Sequence, residues 1–454
     1  MNLLSKPQVL RALAAALALA LTAAPTWAAE GSLAKPAAAA TAQTALPTLP
    51  ALPSLSDLPR PSLPQIAAVD QILADTPALR EARALQQAAA QNGEVLRAGT
   101  HEFTGQAQLQ QRRIETAPDS GRYNEWQLLI NRQLRLPAQA QADGRMADAL
   151  TASAQATLTA ARQRFLGDML TAWFSAQRAQ AEAVLAQQDL DLIDAQVKAL
   201  QRRQSLGDAS VLKLEQMQAE QARAQSALSL AQGMAASSRA ALDARYPQLG
   251  PNGDLQGQAD PGALALPTLN AEQLAAQAAL SNPLLIEQRA ALQKAQAMAA
   301  QAQAARTPQP TVGAYIGSDR GGSERIVGLQ FSMPFGGAAR VSQERAALAE
   351  ADAAQWRLRD LQAQTEAEFQ RLYATAQAQT RAVKATEQAA QVQGQASSRM
   401  LRAYQLGEAG LSDWLLARRS ALESTRLVLQ SRFDAAASIA QLKLQTGLLY
   451  ELRP

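Results

Sequence analysis

The chain of 454 residues contains no cysteine and a single histidine. The missing thiols exclude disulfide bonds, thiolate metal ligands, cysteine nucleophiles and a lipid-modified N-terminal cysteine. With His101 alone, one chain also cannot build a cluster of histidine metal ligands or a Ser-His-Asp triad. The sequence has no glycine-rich phosphate loop and no paired-carboxylate motif either. We therefore expect no cofactor, no metal site and no enzyme activity.

Aromatic residues are also scarce, at 4% of the chain, although hydrophobic residues make up 47%. Alanine supplies much of that total, and it favours helices while burying little area, so we expect long, closely packed helices with thin cores. Trp173, Phe174 and Trp356 lie within predicted helices and are most simply packing residues. Lys and Arg nearly balance Asp and Glu, at 43 against 39. Without a basic surface, nucleic-acid binding is not predicted.

Long apolar runs are missing apart from one near the N-terminus. Residues 12–24 form an apolar run that follows Lys6 and Arg11 and precedes a small-x-small sequence. This pattern is typical of a secretory signal peptide, here residues 1–28, and the run is too short to span a membrane as a helix. We expect an exported protein without a transmembrane helix, and an Ala/Pro-rich linker without a core at 29–65.

The chain does contain a tandem duplication. The recurring landmarks, each with its second copy, are Leu206-Gly207 and Leu406-Gly407, Pro77 and Pro283, and Pro137 and Pro334. Landmarks that recur in one order at similar spacing indicate one structural unit built twice. We predict a first repeat at 66–250, a linker at 251–267 and a second repeat at 268–454.

The sequence pattern of each repeat predicts the same succession of elements: a helix, a β-hairpin, a very long helix, a tight turn and a return helix. The hairpins lie at about 100–136 and 310–335, and the turns at Gly207 and Gly407. Between residues 139 and 206 only isolated glycines interrupt the helical pattern. We expect two shorter helices to lie end to end beside each long one. The predicted fold is mainly α with a small β part.

Strands of about ten residues with alternating apolar side chains are typical of a transmembrane β-barrel. In the fourth strand, the predicted lipid-facing side chains are Val327, Leu329, Phe331 and Met333. Open strand edges are not tolerated in lipid, and four strands cannot close a barrel. A membrane role therefore requires several copies to share one barrel. The alternative is a pair of exposed hairpins packed on a soluble core.

The tandem repeats, the proline breaks, the strand exit Met333-Pro334-Phe335 and the two Leu-Gly turns resemble the outer-membrane efflux protein family, the TolC-like channels. The resemblance extends from about residue 66 to the end of the chain. It implies a homotrimer with a twelve-stranded β-barrel in the outer membrane of a Gram-negative bacterium. Outer-membrane lipid would surround this barrel, and a periplasmic α-helical barrel would continue it.

The resemblance also implies partners and a role. Such a channel passively conducts substrates, here heavy-metal ions or drugs, to the exterior. It works with a periplasmic adaptor (membrane fusion protein) and an inner-membrane pump, here of the resistance-nodulation-division type. The candidate residues for docking the adaptor are Leu206, Gly207, Leu406 and Gly407.

The gate that the resemblance implies is only partly present. Tyr404 and Asp413 match gate positions of the family, whereas its gate arginine is Ala409 here. Lys213 occupies a position where the family has a gate aspartate, and Leu416 occupies the position of an aspartate of the selectivity ring. We hypothesise that Lys213 and Asp413, at matching positions of the two repeats, pair across the closed constriction. The alternative is two solvated surface charges.

Two other functions are weighed against the channel. A periplasmic coiled-coil adaptor would need lipoyl-like and β-barrel domains flanking a single helical hairpin, whereas this sequence has two hairpins. A structural protein built from helical rods would be found in the soluble periplasm. A channel would form heat-modifiable trimers in the outer membrane.

Overall fold

The structure is a computed structural model that describes residues 54–118, 120–249, 255, 257 and 264–450. The predicted signal peptide at 1–28 and most of the predicted linkers at 29–65 and 251–267 lie outside the described residues. Among the helices that are described, none is both long and apolar enough to cross a membrane.

The elements follow the predicted order in both repeats. The first repeat contains α1 (Ile66–Asp75), α2 (Pro77–Ala98), β1 (Phe103–Ile114), β2 (Gly121–Gln133), α3 (Pro137–Ser205) and α4 (Val211–Arg245). The second contains α5 (Ala271–Ser281), α6 (Pro283–Ala304), β3 (Thr311–Asp319), β4 (Glu324–Ser332), α7 (Ala338–Leu406) and α8 (Leu411–Gln445). Corresponding helices have equal lengths: 69 residues for α3 and α7, 35 for α4 and α8, and 22 for α2 and α6. The fold is mainly α with a small β part, as predicted.

Each long helix packs against shorter helices that follow one another along it. At 1.5 Å per residue, α3 and α7 are about 100 Å long. α3 contacts α2 on the side of the sheet and α4 on the side of the turn, and α7 contacts α6 and α8 in the same way. α3 also contacts α6 and α8, so the two repeats share one layer of helices. This packing confirms the predicted arrangement.

Proline and glycine fix the helix ends. Pro77, Pro137 and Pro283 occupy the first turn of α2, α3 and α6, where the missing N–H needs no helical partner. Gly207 and Gly407 follow α3 and α7 with φ of 80° and 81°. Glycine adopts this left-handed conformation at low cost, so each long helix stops where the return helix must begin.

The four strands form one antiparallel sheet in the order β1-β2-β3-β4. β2 of the first repeat therefore pairs with β3 of the second. The register places Ala107 opposite Leu128, Leu128 opposite Ile316, and Ile316 opposite Val327. Directly opposite residues point to the same face of a sheet, so the register decides which side chains share a surface.

One face of the sheet is apolar across all four strands. Its twelve apolar side chains are Phe103, Ala107, Leu109, Trp126, Leu128, Ile130, Val312, Ala314, Ile316, Val327, Leu329 and Phe331. All twelve are exposed. At the helix side of this face, the Arg132 guanidinium lies 4.8 Å from the centre of the Phe103 ring. The opposite face is largely polar and includes Gln106, Gln108, Gln110, Gln127 and Gln330.

The largest apolar core lies around the middle of α3 and the C-terminal half of α8. Trp173 and Phe174 are buried in it, as their prediction as packing residues requires. The same prediction is wrong for Trp356 within the single chain, because this side chain is 63% exposed. The Arg359 guanidinium lies 4.7 Å from its ring centre instead.

Residues 54–63, here called the N-terminal strap, belong to this core, so the expectation of a linker without a core is wrong for them. Leu58 and Leu63 are buried in the cluster. The indole Nε1 of Trp173 donates a hydrogen bond of 2.7 Å to the carbonyl oxygen of Ser62. Proline-rich composition predicts an extended chain, but it does not reveal that leucines between the prolines reach a core.

Candidate functional site

Two regions at opposite ends of the long helices are candidates for function. The sheet lies at one end and is called the sheet end. The turns at 206–210 and 406–410 lie at the other and are called the turn end. The residues predicted from the sequence fall in both regions.

The predicted docking residues are accessible at the turn end. Leu206 and Leu406 are 83% and 60% exposed. No atom lies within 4 Å of the position that a Cβ would take on Gly207 or Gly407. Each turn therefore presents one bare leucine and an open backbone, which suits contact with another protein. Docking of the adaptor stays a prediction.

The two return helices are capped in different ways. In the first repeat, the Ser210 hydroxyl accepts a hydrogen bond of 3.4 Å from the Lys213 amide. Gly410 occupies the matching position in the second repeat and has no side chain to accept. There the Asp413 carboxylate accepts a hydrogen bond of 3.1 Å from the Gly410 amide. Helix capping thus gives a local reason for Ser210 in the first repeat and for Asp413 in the second.

Lys213 and Asp413 are both exposed at the turn end. Among the ion pairs of the described residues, none joins these two side chains. The hypothesised pair is therefore absent within one chain, and pairing between chains stays a prediction. Leu416 is an exposed leucine nearby, 70% accessible, where the family resemblance expects an aspartate.

Tyr404 is held by its own chain. Its ring stacks on that of Trp414, with centroids 5.9 Å apart and planes 10° from parallel. Both belong to a small apolar cluster that includes Val197, Met217 and Leu411. Burial raises the pKa of the Tyr404 hydroxyl, and the positive charge of Arg203 acts in the opposite direction. A gating movement of Tyr404 would therefore have to break its stacking on Trp414 or move the Trp414 ring with it.

A buried charge network lies next to this cluster, and sequence reasoning missed it. Arg418 of α8 is paired with Asp189 of α3, and these side chains are only 3% and 6% exposed. Glu220 of α4 is paired with Arg419 and lies 2.6 Å from Arg223. Arg418 Nη1 is also 3.8 Å from Glu220. The network therefore ties one helix of the second repeat to two helices of the first.

The network perturbs both of its carboxylates. Burial raises the pKa of Asp189, and the Arg418 charge opposes that change. Burial also raises the pKa of Glu220, but hydrogen bonds from Arg419 and Arg223 outweigh it and leave the pKa lowered. A signal was present in the sequence, since Arg418 continues the apolar spacing of Leu411 and Leu415. A charge on an apolar stripe predicts a buried partner, although it does not identify which one.

The predicted lipid-facing residues lie at the sheet end. Val327, Leu329 and Phe331 are 81%, 88% and 67% exposed and share one face of β4. Met333 lies one residue beyond the end of β4 and is half-buried, so it is not part of the strand. Val327, Leu329 and Phe331 share this face of the sheet with nine further apolar side chains. The pattern of one strand alone could not identify those nine.

Several solved structures of outer membrane proteins share this architecture. No protein-family model and no curated protein matches the chain. VceC, an outer membrane protein of Vibrio cholerae, is similar with a TM-score of 0.70, at 21% identity over 85% of this chain and 96% of that one. The CmeC outer membrane channel of Campylobacter jejuni matches with a TM-score of 0.70, at 14% identity over 86% of each chain.

An open-state structure extends the same comparison. The MtrE outer membrane channel of Neisseria gonorrhoeae, crystallised in its open state, matches with a TM-score of 0.64. It is 16% identical to this chain, over 86% of this chain and 90% of that one. These likenesses run through both repeats, because each covers at least 85% of the chain. The chain has the fold of these outer-membrane channels, as its resemblance to the TolC-like channels implies.

Proposed function

We propose that this protein is the outer-membrane channel of a tripartite efflux system. The observation that carries the proposal is the sheet, which has one continuous exposed apolar face and one polar face. In water such an apolar face would be a liability, whereas in a bilayer it matches the outer surface of a barrel. The polar face would then line the lumen.

The strand count supports assembly as a homotrimer. β1 and β4 are the edges of the four-stranded sheet. Unpaired backbone groups are too costly in hydrocarbon, so each edge needs a strand from a neighbouring chain. Three copies would give the twelve strands that the family resemblance implies. Outer-membrane lipid would contact the apolar face.

The helices support the same assembly. α2 leads into β1 and α7 follows β4, so pairing of these strand edges would bring α2 and α7 of neighbouring chains together. Each of the two helices carries exposed apolar side chains, Leu85 and Val95 on α2, and Leu348 and Trp356 on α7. This would explain why Trp356 is bare within a single chain. The tunnel formed in this way would extend through the periplasm.

The proposal includes the partners that the resemblance implies. The bare turns at Leu206-Gly207 and Leu406-Gly407 would dock a periplasmic adaptor, which would connect the channel to an inner-membrane pump of the resistance-nodulation-division type. The pump would supply the energy, so the channel itself would conduct passively and catalyse no reaction. Heavy-metal ions or drugs are the substrates that the resemblance favours. A deletion strain that gains sensitivity to one class would identify the substrate.

A pair of neighbouring residues on opposite faces of β4 tests the membrane proposal. Leu329 and Gln330 are both exposed in the single chain. Leu329→Arg is expected to abolish heat-modifiable trimers in the outer membrane, because arginine on the lipid face costs about 2–4 kcal/mol at the bilayer midplane. Gln330→Arg would face the lumen and is the matched control. It should leave the trimers intact and change only the conductance in planar bilayers.

Equal behaviour of the two variants would contradict the assignment of the faces. Wild-type protein found only in the soluble periplasmic fraction, with no conductance in bilayers, would overturn the channel altogether. That result would favour the rival helical-rod protein.

The proposed gate pair needs variants that spare the helix cap. Asp413→Asn keeps an oxygen that can accept from the Gly410 amide, whereas alanine would remove it. If Lys213 and Asp413 pair across the closed constriction, Lys213→Gln with Asp413→Asn is expected to raise the single-channel conductance. Lys294→Gln on α6 is a control for loss of one positive charge. An unchanged conductance of the double variant would dismiss the pair as two solvated charges.

A further inference from the structure

Glu125 is a buried carboxylate on the polar face of the sheet, where most side chains are exposed or half-buried. It lies on β2 and is 3% exposed, whereas Gln108 and Gln110 on the neighbouring strand β1 are exposed. An ionised side chain is rarely buried without partners, because the loss of hydration must be offset. Something therefore covers this carboxylate and provides hydrogen bonds to it.

Three donors converge on Glu125, two from β1 and one from the connection between β3 and β4. The Gln110 amide donates at 2.7 Å and the Arg112 guanidinium lies 3.1 Å away, both from β1. The third donor is the backbone N–H of Arg320, at 3.4 Å from the Glu125 carboxylate. Arg320 belongs to the connection between β3 and β4, in the other repeat. The carboxylate thus joins two strands of one hairpin to the turn of the next.

The cover is the connection at residues 320–322, here called the mouth turn, which is a tight turn between β3 and β4. It connects β3 to β4 but also contacts β2. A Cβ on Gly321 would lie 3.6 Å from the Tyr123 ring, which shares the polar face with Glu125. β2 extends past the end of β3 here, so the mouth turn lies beside β2. Its contacts with the Tyr123 and Glu125 side chains draw it toward the polar face of the sheet.

The backbone conformation of the mouth turn also indicates that contacts with other parts of the chain hold it. Arg320, Gly321 and Gly322 have φ values of 47°, 65° and 105°. Glycine adopts such values cheaply, but they are uncommon for arginine and need surrounding contacts to hold them. The Glu125 carboxylate provides such a contact at the Arg320 amide.

We propose that Glu125 holds the mouth turn over the lumen side of the sheet and so makes it a constriction at the outer mouth of the channel. The proposal rests on the proposed function, because the polar face must be the lumen. In the trimer, three mouth turns would lean toward one axis. Arg112, 3.8 Å from Asp319, would position the carboxylate between the two hairpins. Glu125 is then a positioning residue that sets the width of the pore.

Single-channel recording of trimers in planar bilayers tests this constriction. Glu125→Ala removes the acceptor of the Arg320 amide, so the mouth turn is released and the conductance is expected to rise above that of wild type. Glu324→Ala is the matched control: it removes a half-exposed carboxylate that lies 3.4 Å from the Arg320 guanidinium, and it leaves the Glu125 contact with the Arg320 amide in place. It should leave the conductance near the wild-type value. Heat-modifiable trimers in the outer membrane would show that each variant has folded.

A second measurement labels the mouth turn chemically. The Ser323 hydroxyl donates a hydrogen bond of 2.8 Å to the Arg320 carbonyl, so the unlabelled cysteine variant is the reference for the current. Since the chain has no cysteine, Ser323→Cys introduces the sole thiol, right after the mouth turn. A bulky thiol reagent that cannot cross the membrane is expected to reduce the current when added from the outer side. The same reaction should reduce the current less in the Glu125→Ala background.

The outcomes separate this inference from the proposed function. A wild-type protein that forms no channel would overturn the proposed function and with it the constriction. A conducting wild type, with unchanged conductance for Glu125→Ala and no effect of the reagent on Ser323→Cys, would overturn the constriction alone. In that case the Glu125 network would only stabilise the sheet.

Discussion

Arg418→Met is expected to lower the free energy of unfolding by about 3–5 kcal/mol, because it leaves the Asp189 carboxylate buried without its partner. Methionine fills most of the space of the arginine stem, so the loss is chiefly electrostatic. The expected value can be measured by denaturant unfolding of the protein in detergent. Arg371→Met provides the surface control, since Arg371 pairs with Glu368 in solvent and is 62% exposed. That variant should unfold like wild type.

A double variant separates the unpaired charge from lost packing. The pair is incompletely satisfied, since the Arg418 Nε atom is buried and has no hydrogen-bond partner among the described residues. Replacing such a pair by apolar residues is often neutral or stabilising. Asp189→Leu combined with Arg418→Met should therefore recover most of the stability lost in the single variant. If the double variant is as unstable as the single one, the cost is lost packing.

The charge network lies near the turn end, so its loss should also affect the candidate gate residue Tyr404. Asp189 and Glu220 lie on α3 and α4 of the first repeat, and Arg418 lies on α8 of the second. The network adjoins the cluster that holds Tyr404 against Trp414. A destabilised Arg418 variant is therefore expected to loosen the turn end first, in local hydrogen exchange, before the sheet end is affected.

Trp173→Ala is expected to cost about 3–5 kcal/mol of folding free energy and to release the N-terminal strap. Trp173 is fully buried, at 1% exposure, and is the largest side chain of the main core. It also holds the strap through the Ser62 carbonyl, while Gln177 donates a hydrogen bond of 2.7 Å to the Ser62 hydroxyl. Denaturant unfolding measures the first effect. Hydrogen exchange of peptides covering residues 54–65 measures the second.

Trp173→Phe is the matched variant. It keeps an aromatic ring in the core but leaves the buried Ser62 carbonyl without its donor, at a cost of about 1–3 kcal/mol. Exchange in the strap should then rise less than in Trp173→Ala. If Trp173→Ala lowers stability but leaves exchange of the strap unchanged, the strap is held by Leu58 and Leu63 independently of the tryptophan.

The local elements could be predicted because their signals are local. The helical pattern from 139 to 206, broken only by isolated glycines, the proline at the start of α3 and the glycine after its end are each recognised within one segment. The duplication could also be recognised, because the landmarks recur at matching spacing. The same reasoning failed for the N-terminal strap, where composition indicated an extended chain and gave no information on its contacts.

The turn end shows how one sequence difference can have two explanations. Lys213 and Asp413 differ between the repeats, and the difference led to the hypothesis of a gate pair. The structure adds a simpler reason for Asp413, which caps α8 where Gly410 cannot. Asp413 can still face another chain, so the gate pair stays a prediction to be tested with the cap preserved.

The elements, their order and their duplication follow from local sequence patterns, because helix propensity, strand alternation and turn residues act over short distances. The folded chain was needed to establish which strands pair between the repeats, and hence that twelve apolar side chains share one face. It also decided that Asp189 meets Arg418, 229 residues away along the chain, and that the mouth turn reaches Glu125. These contacts depend on the register of strands and on the packing of long helices, and neither has a signature within a single segment.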